Sequence, residues 1–279
     1  MIGVGLFGSS NKRSRDAAAV ITGAGSGIGA AFATELARRG GRIVCSDIDE
    51  NAARTTANAI ADDGGSALAV QCDVTRIDDV QRLATEALAW FGGPPMLVIN
   101  NAGVGAGGTP IGETSLDDWS WVLGINLWGP INGCHVFAPI LREAGGGGLI
   151  NVASAAAYGA APGMAAYNVS KAGVLSLSET LAAELSGTGV AVTVLCPTFV
   201  KTNIVESGRI TEQSTQLADR LMRWTGFSPE RVARMCLDTN DRGGLYCMPQ
   251  PDARIGWGIK RFTPTVYTRA VGLTTRLRT

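Results

Sequence analysis

Seven short apolar runs alternate with longer amphipathic ones along this chain: AAVIT, RIVCSD, ALAVQCD, PMLVIN, LINVAS, VAVTVLCP and, near the end, LYCMP. They are apolar along their whole length rather than at every second residue, which suits strands buried on both faces. Strands alternating with helices predict an α/β chain with a parallel sheet covered on both sides. A length of 279 residues with 46% hydrophobic content supports one large domain with a substantial core. The 37 glycines fall in turns without a collagen-like period, and AGGGG at 144–148 reads as a flexible connector before the fifth strand.

Several function classes drop out early. Lysine plus arginine and aspartate plus glutamate both number 24, so no overall field points to nucleic acid. The six cysteines (Cys45, Cys72, Cys134, Cys196, Cys236, Cys247) are widely spaced and form no CxxC, as expected of buried reduced thiols in a reducing compartment. His135 is the only histidine, which argues against a zinc site, and no metal is expected. In MIGVGLFGSSNKRSRD the basic residues follow the apolar stretch, the reverse of a secretory signal, and no apolar run approaches membrane-spanning length. The expectation is a soluble cytoplasmic protein.

The first strand ends in TGAGSGIG and opens directly into AAFATELARRG. Gly23, Gly27 and Gly29, with Ser26 and Ile28 in the same turn, let backbone N–H groups approach a pyrophosphate at the positive end of the helix. Asp47, closing the second strand, is placed to accept hydrogen bonds from both ribose hydroxyls of NAD and to repel a 2′-phosphate. NAD(H) is therefore expected over NADP(H). Arg42 stands too early in that strand to reach a phosphate, while Asp73, before Val74, can meet an adenine edge or cap a helix.

Further motifs accompany this turn: NNAG at 100–103, Asn126 in GINLWG, Ser154 in NVASAAA and YNVSK at 167–171. In combination they make the chain resemble the short-chain dehydrogenase/reductase family, from about Ala18 to Met248. The resemblance implies a Rossmann-type doubly wound sheet in three αβα layers, and hydride transfer between a nicotinamide and a carbonyl or secondary alcohol. It implies that Asn126 supports a water chain to Lys171, and that Lys171 holds ribose hydroxyls of the cofactor. Asn100, Asn101, Ala102 and Gly103 would support the sheet and pass the adenosine side, and the loop with Pro197, Val200 and Thr202 would meet the carboxamide. Thr198 stands where the family commonly has glycine. Assembly as a homo-dimer or homo-tetramer is expected.

The residues support this physically. Tyr167 and Lys171 lie four apart, on one face of a helix. At about 4 Å and an effective dielectric near 20 they interact by roughly 4 kcal/mol, enough to draw the phenol from about 10 towards 7. Such a phenol can exchange a proton with an alcohol. Ser154, at the C-terminal end of the fifth strand, can hold the substrate oxygen against it. Tyr158 is a rival, but Pro162 occupies its i+4 position and supplies no cation. Asn126 lies in a helix that Gly129 and Pro130 should kink, where it could also be an ordinary helix-breaking residue.

For the substrate, Leu217, Leu221, Met222, Trp224 and Phe227 in a lid at about 203–229, with Ala155, Met164 and Phe199, predict a hydrophobic ketone or secondary alcohol. They would equally serve to seal the lid on the core. Arg209, Arg220 and Arg223 are expected to face water. The alternatives are an NADP-linked carbonyl reductase and a non-catalytic NAD(H)-binding redox sensor, which would need no intact Ser154, Tyr167 and Lys171.

The chain thus divides into a tail at 1–15, a dehydrogenase domain at 16–249 and an arm at 250–279. The arm sets Arg254, Lys260, Arg261, Arg269, Arg276 and Arg278 against one acid, Asp252, and Pro264 interrupts any single long helix. Trp257, Ile259, Phe262, Val266, Tyr267, Val271 and Leu273 interleave with the cations. Two readings stand: an arm packed over its own lid or a neighbouring subunit, and a segment resting on an anionic membrane surface.

Overall fold

The structure is a computed structural model and describes residues 12–202, 204 and 208–276. The tail reading therefore lies mostly outside the described residues. In chain order the elements are β1 (Ala18–Thr22), α1 (Gly27–Arg38), β2 (Arg42–Asp47), α2 (Glu50–Asp62), β3 (Ser66–Gln71), α3 (Ile77–Phe91), β4 (Leu97–Asn100), β5 (Ala106–Gly107), α4 (Leu116–Leu123), α5 (Gly129–Glu143) and β6 (Gly147–Val152). There follow α6 (Ala156–Gly159), α7 (Ala165–Glu184), β7 (Val190–Leu195), β8 (Arg209–Ile210), α8 (Glu212–Thr225), α9 (Pro229–Asp241), β9 (Tyr246–Cys247), α10 (Pro251–Phe262) and α11 (Pro264–Arg276).

Seven strands form one parallel sheet in the order β3-β2-β1-β4-β6-β7-β9. This is the expected doubly wound α/β fold, with two differences of extent. The third strand stops at Gln71, leaving Asp73 in the loop beyond it, and LYCMP contributes only Tyr246 and Cys247. The strands are apolar throughout because neighbouring residues serve opposite layers: Val20 packs with Val44, Leu83 and Phe137, and Ile21 with Phe32, Leu36 and Leu237. All six cysteines are free and buried in these layers. From β1 the chain winds outward to β3 and then returns through β4 to the other half, so a crevice opens beyond the C-terminal ends of β1 and β4.

The expected kink at Gly129 and Pro130 takes another form. Pro130 is the second residue of α5, which continues directly from helical backbone. The irregularity lies just upstream, as one wide π turn over Gly124–Trp128 that contains Asn126. The helix α7 buries Ser170, Lys171 and Ser178, polar residues that a helix serving only as packing would not carry.

Candidate active site

The glycine turn is dictated by close approach. At Gly23, with φ 64°, a Cβ would stand 2.7 Å from the Ala102 Cα, and at Gly29 it would stand 2.0 Å from the Gly23 carbonyl oxygen. Neither neighbour is a side chain that can swing away. Asn101 locks the turn by donating from Nδ2 to the carbonyls of Thr22 and Gly23, at 2.9 and 3.0 Å. Ser26 is the N-cap of α1, yet its side chain makes no capping bond, so no side chain of the cap occupies the positive end of the helix. Gly27 lies against Thr202, whose Cγ2 is 3.1 Å from the Cβ position, and Ile28 packs on the core below.

Asp47 sits beside this turn. Its Oδ2 accepts the Gly25 N–H at 2.9 Å and its Oδ1 the Asp49 N–H at 3.1 Å, which leaves each oxygen a further lone pair. The uncapped helix end, the glycine turn and this carboxylate together fit a dinucleotide carrying a free ribose diol. Arg42 is turned away: it donates to the Trp90 and Phe91 carbonyls and lies over the Trp90 ring.

Other expected cofactor residues divide. Asp73 Oδ1 accepts from both the backbone and the hydroxyl of Thr75 in a local turn, and it is Arg76, not Asp73, that caps α3. Val74 is buried, with its carbonyl accepting from Asn132 at 2.9 Å. The side chain of Asn100 serves the sheet. It is buried within the sheet and donates to Asn151 at 2.8 Å, which donates in turn to Ser178 at 3.0 Å, so its side chain ties β4, β6 and α7 together. Ala102 donates to the Thr22 hydroxyl at 3.2 Å. Pro197 accepts the Ala155 N–H at 2.8 Å, and Val200 bridges to Phe227.

Around Gly103 the catalytic candidates meet. A Cβ there would stand 3.1 Å from Asn126 Oδ1 and 3.3 Å from Lys171 Nζ. Asn126 is fully buried, accepting from the Val104 N–H at 2.8 Å and donating to the Val104 carbonyl at 2.9 Å. The wide π turn aims it there. Lys171 is 3% exposed; its Nζ donates to the Val152 carbonyl at 3.0 Å and forms no ion pair among the described residues. Burial pulls its pKa down to about 8.

The expected lowering of the Tyr167 pKa does not occur. Burial pushes it up, and only the neighbouring Ser154 hydroxyl works in the opposite direction. Lys171 Nζ is 5.8 Å from the phenol ring centre, and desolvation of both groups outweighs their attraction. Ser154 Oγ also accepts the Ala156 N–H at 3.1 Å. Tyr158 is buried beside Cys196 and Met248 with no partner for its hydroxyl, and burial raises its pKa well above the ordinary range.

Tyr167 lines a cavity of about 290 Å³ with Ala106, Val122, Met164 and Ala166 on one kind of wall, and Thr109, Thr114, Asp118, Arg209 and Thr211 on another. Of the expected pocket residues only Met164 is there. Trp224 is 85% exposed on α8, Phe199 and Ala155 belong to the loop and packing behind Ser154, and the Leu221 side chain lies outside the described residues. Arg209 is exposed, as expected, and it also donates to Asp118 at 2.6 Å and stacks over Trp121. No local sequence signal marks that pair.

A family profile described as short chain dehydrogenase matches residues 17–213. A Mycobacterium tuberculosis protein named Probable oxidoreductase EphD is 36% identical over 269 residues, covering 92% of this chain; the chain spans 44% of that relative's length. D-threitol dehydrogenase of Mycolicibacterium smegmatis is 42% identical over 186 residues, covering 67% of this chain and 71% of its own. A short-chain dehydrogenase/reductase from Burkholderia phymatum, solved in complex with NAD, superposes with a TM-score of 0.80 at 35% identity over 88% of this chain and 94% of its own. The crevice, the glycine turn and the Tyr167–Lys171 helix fit the class of protein that these likenesses define. The chain belongs to the short-chain dehydrogenase/reductase family.

Proposed function

We propose that the chain is an NAD-dependent dehydrogenase that interconverts a secondary alcohol and a ketone, with Tyr167 as the proton carrier. Lys171 carries this reading. A buried cation with no acidic partner among the described residues, set beside a phenol at the mouth of a cavity, is a costly arrangement that packing alone does not explain. In the oxidising direction the Tyr167 Oη accepts the hydroxyl proton while Ser154 holds the same oxygen, so that the carbonyl forms without a free alkoxide. Lys171 favours the phenolate form of Tyr167 that accepts this proton, leaving a neutral phenol, and Asn126 keeps the loop at Gly103 and Val104 in place beside the ammonium. The bound nicotinamide would supply the acceptor for the hydride that leaves the carbinol carbon.

NAD over NADP rests on Asp47, whose charge stands at the position a 2′-phosphate would need. The substrate reading shifts from a wholly hydrophobic compound to one with an apolar part and hydroxyl groups, because threonines and the Asp118–Arg209 pair share the cavity with Met164 and Val122. The polyol named for the threitol dehydrogenase relative carries hydroxyl groups of the kind such polar side chains can hold. A panel of apolar secondary alcohols and polyols, each offered with NAD and with NADP and followed by cofactor absorbance, tests both points. Turnover with NADP but not NAD, or with no alcohol at all, overturns the assignment.

A further inference from the structure

We propose that the helices α10 and α11 dock the protein on an anionic lipid membrane. One face of the pair holds to the body: Ala253 and Trp257 pack in the cluster of Tyr158, Val174 and Met248, and the Tyr267 hydroxyl donates to the Gly159 carbonyl at 3.2 Å. The other face is apolar and uncovered. On α10, Ile255, Ile259 and Phe262 follow the i, i+4, i+7 spacing of one helical stripe and are 62%, 48% and 83% exposed. On α11, Val266 and Leu273 lie seven apart, 66% and 56% exposed. The break at Thr263 places Phe262 and Val266 on either side of an exposed bend.

The charge of the arm, which flanks this stripe, selects the occupant. Arg254, Lys260, Arg261 and Arg269 have no carboxylate partner among the described residues, and the sequence contains no acid after Asp252. Arg261 lies over the Trp257 ring and Arg254 donates to the Met248 carbonyl, so both guanidiniums are held in place with no carboxylate partner among the described residues. A second copy that paired arm with arm about a two-fold axis would set cations against a surface whose one acid is Asp252. An anionic bilayer takes the stripe at the acyl boundary and the cations at its phosphates. No helix among the described residues is long and apolar enough to cross a membrane, so the contact is peripheral.

The test is co-sedimentation of the full chain with vesicles of phosphatidylglycerol and phosphatidylcholine, and with phosphatidylcholine alone, at low salt. The proposal expects at least about tenfold more protein on the anionic vesicles, lost when salt shortens the Debye length to a few ångströms. Phe262→Ser, alone or with Ile259→Ser, should lower binding about tenfold with an unchanged melting temperature, as should Lys260→Gln with Arg261→Gln. Absence of binding at low salt, equal binding to neutral vesicles, or binding that survives these substitutions overturns it. So does an oligomer that Phe262→Ser dissociates without any vesicle contact, which would make a second copy the occupant.

Discussion

Arg209 Nη1 and Asp118 Oδ1 stand 2.6 Å apart on the wall of the cavity that holds Tyr167, joining residues 91 apart in the chain. Both side chains are partly exposed, so solvent screens the pair and it adds little to stability. On the function proposed above, it would present a donor and an acceptor together to a substrate. Asp118→Asn and Arg209→Leu should each raise KM for a hydroxylated substrate about tenfold or more, with kcat within about threefold and the melting temperature nearly unchanged. Steady-state kinetics on apolar and hydroxylated alcohols separates this from a loss of fold, because the apolar substrate should be spared.

Tyr167→Phe should lower kcat by about 100-fold or more and leave the NAD dissociation constant within a fewfold, since it removes the proton carrier and little binding surface. Lys171→Met should damage both. Unchanged NAD affinity in the lysine variant would remove its role at the cofactor.

Stability should report the buried ammonium. The Lys171 pKa falls to about 8 from 10.5 in the unfolded chain, so between those values the unfolded state binds more protons and stability from this group rises with pH. Below pH 8 its burial costs about 3 kcal/mol at most. Lys171→Met should therefore unfold at higher denaturant concentration than the wild type at pH 7, with the advantage shrinking from about pH 8 upward. Tyr167 has the opposite sign, because its raised pKa makes the folded state lose stability above the phenol's ordinary value.

Asp47→Ala should weaken NAD about tenfold and relieve the exclusion of NADP, as read by titrating both cofactors. A wild-type protein that already prefers NADP would refute the role given to this carboxylate. The same variant loses the bond to the Gly25 N–H, so NADP affinity must rise in absolute terms and not merely fall less.

Gln250, 2% exposed, accepts from the Thr198 N–H at 3.2 Å and donates to the Phe199 carbonyl at 2.9 Å, fixing the loop that follows β7. Gln250→Ala leaves the Thr198 N–H without its acceptor and the Phe199 carbonyl with only the Phe227 N–H, and should cost about 1–3 kcal/mol in denaturant unfolding. Gln250→Glu, which keeps the acceptor and loses the donor, should fall between.

Much of this molecule was legible in short stretches of sequence. Unbroken apolar runs determine strands buried on both faces, because side chains alternate sides at every residue, and TGAGSGIG determines a turn that only glycines can close. The spacing of Tyr167 and Lys171 determines that they share a helix face. Such features depend on backbone period and turn chemistry within a dozen residues. What only the tertiary structure decided is where each side chain ends up once distant segments pack. Desolvation, not attraction to Lys171, governs the Tyr167 phenol, because the surrounding helices bury both groups. Asn100 is spent on Asn151 inside the sheet, Trp224 faces outward, and Arg209 reaches Asp118 across the cavity. In the arm, the sequence shows apolar and basic residues interleaved, but which apolar stripe faces water follows from Ala253, Trp257 and Tyr267 being taken up by the body. Burial and partner choice are properties of the packed whole, and no local pattern encodes them.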